Sequence, residues 1–291
     1  MLTVRGLSRA YGEALVVDEV TFDVRPGRLT GFVGANGAGK TTTMRMLMGV
    51  LAPTAGEVLW DGAPITTEQR RTFGYMPEER GLYPRMSLVD QLVFLARLHG
   101  LDKAAATERA RHLLDHFGLD ERRDDLLDSL SLGNQQRVQV AAALIHRPTA
   151  LILDEPFSGL DPLAVDSMVE LLNDEVGPDV PVLFSSHQLE LVERLCDDLV
   201  ILSGGRVVVA GATDELREGG PLRYRVVVDD PTVLESLPGA TLDRRDGDAA
   251  FVTISEGDPA DLLAHLTGRT RVSEFHRHVE PLAHVFREAT R

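Results

Sequence analysis

A glycine-rich loop between a short apolar run and a polar helix start constrains this sequence more than any other feature. Residues 34–41 read Gly-Ala-Asn-Gly-Ala-Gly-Lys-Thr and fit the pattern G-x-x-x-x-G-K-[ST]. The apolar run Leu29–Val33 predicts a buried strand before the loop. Such glycines let backbone N–H groups face a phosphate chain, and the following helix N-terminus adds about half a positive charge. The sequence therefore predicts a phosphate-binding loop.

The residues of this loop divide into backbone and side-chain contacts. The ammonium of Lys40 is predicted to reach the β- and γ-phosphates, and the hydroxyl of Thr41 to ligate Mg²⁺. The predicted nucleotide contacts form one continuous stretch: Gly34, Ala35, Asn36, Gly37, Ala38, Gly39, Lys40, Thr41 and Thr42.

Two adjacent carboxylates stand where a second apolar run, Leu151–Leu153, ends. Ligands of parallel sheets bind at the carboxyl ends of the strands. Adjacent carboxylates repel each other, so the pair is costly unless a metal ion or a substrate compensates. Asp154 is therefore predicted to hold Mg²⁺, through water, and Glu155 to polarise the attacking water. Together with the loop, this pair predicts a nucleoside triphosphatase.

Short apolar strands that alternate with helices predict an α/β fold with a mostly parallel sheet. The first 30 or so residues and the turn at Trp60 predict an antiparallel β subdomain. Residues 86–130 have the periodicity of a helical subdomain, and a further helix is expected over Val138–Leu144. The pattern of predicted strands and helices changes near residue 210. We expect a main domain over 1–210 and a small C-terminal α+β domain over 211–291.

The C-terminal part has its own sequence of elements. Alternation predicts strands at Arg223–Val228 and Arg271–His278, and a hairpin over Thr241–Ile254. Helices are expected at Pro231–Leu237, Pro259–Leu266 and Pro281–Ala289.

Composition excludes several classes of protein. Hydrophobic residues make up 43% of the 291 residues, which is ordinary for a globular chain and not for a disordered one. A net charge of −15 disfavours nucleic acid as a partner. The single cysteine excludes an internal disulfide and suits a reducing compartment. No apolar run approaches the ~18 residues of a membrane span, so we expect any membrane role to come through a partner.

A third motif narrows the class of triphosphatase. Leu130–Arg137 reads Leu-Ser-Leu-Gly-Asn-Gln-Gln-Arg and resembles the signature motif of ABC transporter ATPases. Ser158–Asp161 resembles the D-loop of that family, and Ser185–His187 resembles its switch histidine. Tyr11 stands where the family stacks an aromatic ring on adenine. The resemblance covers residues 1–210, and its motifs occur in the family's order.

The resemblance implies an ATPase subunit that uses ATP and Mg²⁺ and energises a membrane-spanning partner. In the family, the signature of one copy closes over the ATP held by another, which implies a head-to-tail homodimer. Glu155 becomes the general base, Lys40 a catalytic contact, and His187 the residue that orients the γ-phosphate. The implied ATP contacts outside the loop are Tyr11, Glu78, Ser131, Gly133, Asn134 and Asp161, and the implied metal-site residues are Thr41, Asp154 and Glu78.

The sequence departs from the usual family pattern in two places. Leu132 and Asn134 replace a glycine and a glutamine of the signature, and Glu78 replaces a glutamine. The run Pro77–Pro84 resembles the ATPases of small two-component exporters of sodium, drugs or antibiotics. That branch implies export, and a peripheral location at the cytoplasmic face of the cell membrane.

The segment Glu78–Met86 lies where the family receives a short helix of the membrane subunit. It contains an apolar cluster: Leu82, Tyr83, Pro84 and Met86. If exposed, this cluster would form a docking patch. The alternative is that it only packs the helical subdomain.

Two other functions compete with transport. One is a soluble ABC ATPase that acts on ribosomes or nucleic acid, which the acidic charge, the single phosphate loop and the absence of a long coiled-coil insertion disfavour. The other is a non-hydrolysing regulatory module, which the presence of Lys40 and Glu155 disfavours.

The histidines outside the motifs are interpreted as structural. We expect four of them to be surface or core residues without partners: His99, His112, His116 and His146. His276 and His278 share one face of a predicted strand near His284, but no carboxylate or cysteine completes a metal site there.

Overall fold

The computed structural model describes residues 1–79, 81–218 and 222–278, and these form two compact units. The first unit covers residues 1–213 and the second begins at Asp214. The strands of the described residues are β1 (Leu2–Tyr11), β2 (Ala14–Val24), β3 (Leu29–Gly34), β4 (Ala55–Trp60), β5 (Ala63–Pro64), β6 (Phe73–Met76), β7 (Ala150–Leu153), β8 (Val182–Ser186), β9 (Asp198–Ser203), β10 (Arg206–Ala212), β11 (Leu222–Val228), β12 (Ala240–Asp246), β13 (Ala249–Ile254) and β14 (Val272–Arg277). The α-helices are α1 (Lys40–Leu47), α2 (Thr67–Arg71), α3 (Leu88–Leu98), α4 (Lys103–His116), α5 (Leu132–Leu144), α6 (Pro162–Glu175), α7 (Leu189–Leu195), α8 (Thr213–Glu218) and α9 (Pro259–Thr267).

A six-stranded sheet forms the centre of the first unit. Its strand order is β10-β9-β3-β8-β7-β6, and only β10 runs antiparallel to its neighbour. The interior strands β7 and β8 are buried along their whole length, which explains their continuous apolar sequences. This arrangement confirms the predicted mostly parallel α/β core. It also brings the carboxyl ends of β3, β7 and β8 to one edge of the sheet.

A second, antiparallel sheet of the first unit has the order β2-β1-β4-β5. The hairpin between β4 and β5 turns at Asp61 and Gly62, both with positive φ, as predicted for this segment. The indole of Trp60 packs on the ring of Phe73, with 4.9 Å between the ring centroids. Side chains of β1, β2, α1 and β3 share one hydrophobic core, so the antiparallel sheet is joined to the strand that leads into the loop.

The helical subdomain contains α3 and α4, and α5 follows directly after it. Side-chain oxygens of Ser87, Asp102 and Ser131 cap the N-termini of the three helices. The expected start of the last helix at Val138 is wrong, because the Ser131 cap starts that helix at Leu132. Within the described ranges, no helix combines the length and the apolar character needed to cross a membrane.

The second unit is an antiparallel sheet with the order β12-β13-β11-β14. Helix α9 contributes Leu262 and Leu266 to its hydrophobic core. The predicted strands, the hairpin and the helix at Pro259 are confirmed. The predicted helix Pro231–Leu237 is a 3₁₀ segment, Pro231–Glu235, capped by Asp230. The helix expected at Pro281–Ala289 and His284 lie outside the described residues.

The expectation that four histidines lack partners is wrong. The rings of His99 and His146 stack with 3.7 Å between their centroids. Burial and the neighbouring His99 lower the pKa of His146 to about 4, so this ring is neutral at physiological pH. His112 Nε2 lies 2.6 Å from Glu175 Oε1, and His116 Nε2 lies 3.8 Å from a carboxylate oxygen of Asp174.

Gly31 in the middle of β3 allows α7 to lie directly on the sheet. A Cβ atom at this position would stand 1.9 Å from Val192 Cγ1 and 2.9 Å from Cys196 Sγ. Cys196 is buried in this contact, and burial raises the pKa of its thiol far above the ordinary value. The thiol is therefore a packing group.

Candidate active site

The glycine-rich loop leaves the carboxyl end of β3 and leads into α1. Gly37 and Gly39 both have positive φ, at 81° and 103°. A Cβ atom at Gly39 would lie 2.9 Å from the carbonyl oxygen of Val16, so the loop can pass this point only as glycine. Left-handed turns of this kind let backbone N–H groups face an anion.

Lys40 is a buried cation, with only 7% of its surface exposed. Its Nζ donates a hydrogen bond to the Gly34 carbonyl at 2.7 Å and lies 3.7 Å from Glu155 Oε1. A buried ammonium requires such compensation because it has lost its hydration. The ammonium is thus fixed between the loop and the carboxylate at the end of β7.

Asp154 is completely buried at the end of β7. Its Oδ1 accepts a hydrogen bond of 2.6 Å from Ser185 Oγ, whereas its Oδ2 has no hydrogen-bond partner within the described part of the chain. A buried carboxylate oxygen without a donor is costly, which makes this position suitable for a cation. On the lining of the cleft, Thr41 Oγ1 donates to Glu78 Oε2 at 3.3 Å. These hydroxyl and carboxylate oxygens are of the type that Mg²⁺ prefers, so the residues fit this ion.

Glu155 combines an unusual backbone with a partly buried carboxylate. Its φ is 53°, in the left-handed region that few residues other than glycine adopt. Its Oε2 lies 3.0 Å from His187 Nδ1. Burial raises the pKa of the Glu155 carboxyl, and the charges of His187 and Lys40 offset only part of that rise. A carboxylate with a raised pKa accepts a proton more readily than an ordinary one.

Two residues without a predicted role hold the backbone of Glu155. The backbone N–H of Glu155 donates to Ser185 Oγ at 2.8 Å. The carbonyl of Glu155 accepts from Gln136 Nε2 at 3.1 Å. Both residues belong to sequence motifs described above, but their contacts with Glu155 arise from packing between distant elements.

The structure gathers nine of the predicted site residues around one open cleft. These are Ala35, Asn36, Gly37, Gly39, Lys40, Thr41, Thr42, Glu78 and Glu155, and Val16 joins them without having been predicted. Gly34, Ala38 and Asp154 are buried next to the cleft, and His187 reaches it through Glu155. Tyr11 is half-exposed at the end of β1, with Arg9 stacked on its ring at 4.7 Å. It does not line the cleft, so its contact with adenine stays a prediction.

The predicted signature and D-loop residues also lie outside the lining of this cleft. Ser131 is exposed at the start of α5, where its Oγ accepts from the Asn134 N–H at 3.5 Å. Gly133 follows in the first turn of the same helix. Asp161 is exposed and caps α6 through a 2.9 Å bond from the Ala164 N–H. Contacts of these residues with ATP therefore stay predictions.

Known proteins share both the sequence and the fold of this site. The ABC transporter family profile matches residues 17–158. An uncharacterized ABC transporter ATP-binding protein, YhaQ of Bacillus subtilis (strain 168), is 38% identical over 99% of this chain and 98% of its own length. The chain belongs to the ABC transporter ATP-binding proteins.

Two further relatives of this ATP-binding protein are informative. The Nod factor export ATP-binding protein I of Cupriavidus metallidurans is 36% identical, over 95% of this chain and 93% of its own. A solved ATP-binding subunit of an ABC transporter superposes with a TM-score of 0.68 at 36% identity, over 75% of this chain and 92% of that one. These similarities confirm a P-loop ATPase that hydrolyses ATP to energise a transporter. They give no support to the alternative of a soluble ATPase acting on ribosomes or nucleic acid.

We expect Ser185→Ala to weaken this ABC ATPase in two ways. It removes the hydroxyl that joins Asp154 to Glu155, so the free energy of unfolding should fall by about 1–3 kcal/mol and ATP turnover should fall with it. Ser186→Ala is the matched control, because Ser186 Oγ accepts from the Gln188 N–H at 3.0 Å and has no other hydrogen bond within the described part of the chain. Chemical denaturation and a phosphate-release assay measure both effects. Equal losses in the two variants would contradict the assignment.

Proposed function

We propose that this chain energises export through a separate membrane-spanning subunit, at the cytoplasmic face of the cell membrane. The observation that carries the proposal is similarity to a Nod factor export ATP-binding protein over nearly the whole chain, including the second unit. In this proposal, residues 1–210 are the ATPase domain and residues 211–291 an accessory domain. The net charge of −15 agrees with a role that involves no nucleic acid.

The proposed hydrolysis uses positioned charges more than covalent chemistry. The loop N–H groups and the Lys40 ammonium bind the triphosphate. The Glu155 carboxylate accepts a proton from the attacking water, and His187 orients the γ-phosphate. Thr41, Asp154 and Glu78 would hold Mg²⁺, which when bound neutralises charge on the β- and γ-phosphate oxygens.

Two substitutions separate binding from hydrolysis. Lys40→Ala removes the buried cation and should abolish ATP binding and turnover. Glu155→Gln keeps the shape of the side chain and should retain binding while turnover falls by about 10²–10⁴-fold. Equilibrium binding of labelled ATP and phosphate release measure the two properties. Lys103→Ala, at an exposed lysine that begins α4, is the control and should behave as wild type. Wild-type turnover by the Glu155→Gln variant would remove Glu155 from the mechanism.

We further propose a head-to-tail homodimer that encloses two ATP molecules. In it, Ser131, Gly133 and Asn134 of one copy contact the γ-phosphate held by the other, and Asp161 lies at the same interface. A serine hydroxyl and a helix N-terminus suit an anion. Two exposed apolar side chains lie at these motifs, since Leu163 is 81% exposed and Leu132 is 43% exposed. Exposed apolar surface of this kind favours contact with a second copy of the chain.

The dimer is expected only when ATP is bound and not hydrolysed. Glu155→Gln with ATP and Mg²⁺ should sediment as a dimer in analytical ultracentrifugation, because nucleotide completes the interface. The same variant without nucleotide is the control and should sediment as a monomer. A Glu155→Gln protein that binds ATP but stays monomeric at high concentration would argue against the dimer.

An exposed apolar patch supports a docking site for a short helix of the membrane subunit near Glu78–Met86. Tyr83 is 53% exposed and makes an edge-to-face contact with Phe94, at 6.0 Å between centroids. Leu98, one turn further along α3, is 67% exposed. Leu82 and Met86 are only half-buried, so part of the predicted cluster packs the subdomain. The exposed part forms a patch of the kind that marks protein contacts.

A substitution in the patch should weaken docking of the membrane-spanning subunit without changing ATP hydrolysis. Tyr83→Ser is expected to reduce co-purification with the membrane-spanning subunit, because it removes the aromatic contact surface. The ATPase rate of the isolated chain should not change, since Tyr83 does not line the nucleotide cleft. Val50→Ser, at a residue that is 70% exposed elsewhere, is the matched control and should retain the partner. Retention of the partner by both variants would refute this docking site.

A further inference from the structure

The turn that carries Glu155 is held by a buried side chain of α5. Gln136 Nε2 donates to two successive carbonyls, that of Glu155 at 3.1 Å and that of Pro156 at 2.8 Å. The Gln136 side chain is buried in the protein. One amide group thus binds both peptide units that follow the Glu155 side chain.

This bond acts where the backbone needs support. A non-glycine residue at a φ of 53° lies in a sparsely populated conformation that persists only when its surroundings fix it. Ser185 holds the N–H side of Glu155, and Gln136 holds its carbonyl side. Loss of the Gln136 donor would free the carbonyl side, and the direction of the carboxylate would change with it.

The same helix begins at the predicted signature. Ser131 and Gln136 are separated by about 7.5 Å along the axis, at 1.5 Å of rise per residue. Leu132 packs directly on Gly159, since a Cβ atom there would lie 2.8 Å from Leu132 Cδ2. Leu160 lies against Gly133 in the same way, at 3.3 Å. The start of α5 therefore contacts the chain just after Glu155 by two routes, the Gln136 amide and this apolar contact.

We infer that Gln136 is a positioning residue that ties the conformation of Glu155 to the position of the signature helix. The inference rests on the proposed role of Glu155 as the base and on the proposed head-to-tail pair. In that pair, contact between Ser131 and the partner's ATP shifts α5, and the Gln136 amide carries the shift to Glu155 of the same chain. Each site would thus attain its hydrolytic geometry when its own signature is engaged.

The experiment uses the full chain with two variants of Gln136. Gln136→Met keeps the length and apolar stem of the side chain but removes the donor, and Gln136→Glu keeps its shape while removing the same N–H. The matched control is Gln135→Met. Gln135 is a buried glutamine of the same helix, and its Nε2 donates to the carbonyls of Leu127 and Leu130 at 3.0 Å each, away from Glu155.

Three quantities are compared: kcat, the Kd for a non-hydrolysable ATP analogue, and the single-turnover rate. The single-turnover rate is measured for each variant alone and in combination with Glu155→Gln. For both Gln136 variants we expect kcat to fall about 10–100-fold and Kd to stay within about twofold. Combined with Glu155→Gln, neither should lower the residual rate further, because the two residues act as one unit. Gln135→Met should lower kcat less, and its effect should add to that of Glu155→Gln.

Several results would overturn the inference. One is a kcat for both Gln136 variants that equals that of Gln135→Met, and another is a loss that adds fully to Glu155→Gln. A Kd that rises in step with the fall in kcat would indicate a structural role alone. If Glu155→Gln itself turns over at the wild-type rate, the proposed base fails together with this inference. If Glu155→Gln lowers the turnover rate but the Gln136 variants turn over at the wild-type rate, the inference about Gln136 is refuted while the proposed role of Glu155 stands.

Discussion

One buried cation beside a partly buried carboxylate determines the chemistry of this protein. Lys40 Nζ lies 3.7 Å from Glu155 Oε1, and the preceding residue Asp154 is buried with one carboxylate oxygen that has no hydrogen-bond partner among the described residues. In a medium of low polarity, such charges are stable only in near-balance. Burial raises the pKa of the Glu155 carboxyl, and the excess of negative over positive charge at the site favours a further cation. The parallel sheet is what makes this possible, because it brings β3 and β7 to the same edge.

The sequence alone predicts those parts of the site that are formed by consecutive residues. The loop at Gly34–Thr41 and the carboxylates after β7 each follow a buried strand, and strand ends in a parallel sheet converge. The α/β core, the antiparallel sheet and the hairpin at Trp60 were predictable for the same reason. Their periodicity and turn residues are local, and nothing in the tertiary structure opposes them.

Contacts between segments that are distant in the chain could not be predicted from the sequence. The bonds from Ser185 to Asp154 and from Gln136 to Glu155 depend on how β8 and α5 pack against the end of β7. The stacked pair His99 and His146 is another product of packing, and so is the low pKa of His146. Helix α5 begins earlier than its apolar pattern because a serine cap offsets weak helix formers in its first turn.

The burial of Cys196 has a practical consequence for studying motion in this protein. Its thiol is packed between α7 and β3 and has a strongly raised pKa, so it is a poor target for alkylating reagents. A cysteine introduced on the surface would then be the main thiol available to a spin label or fluorophore. Distance measurements between labelled copies would test whether the proposed head-to-tail pair forms in the otherwise native chain.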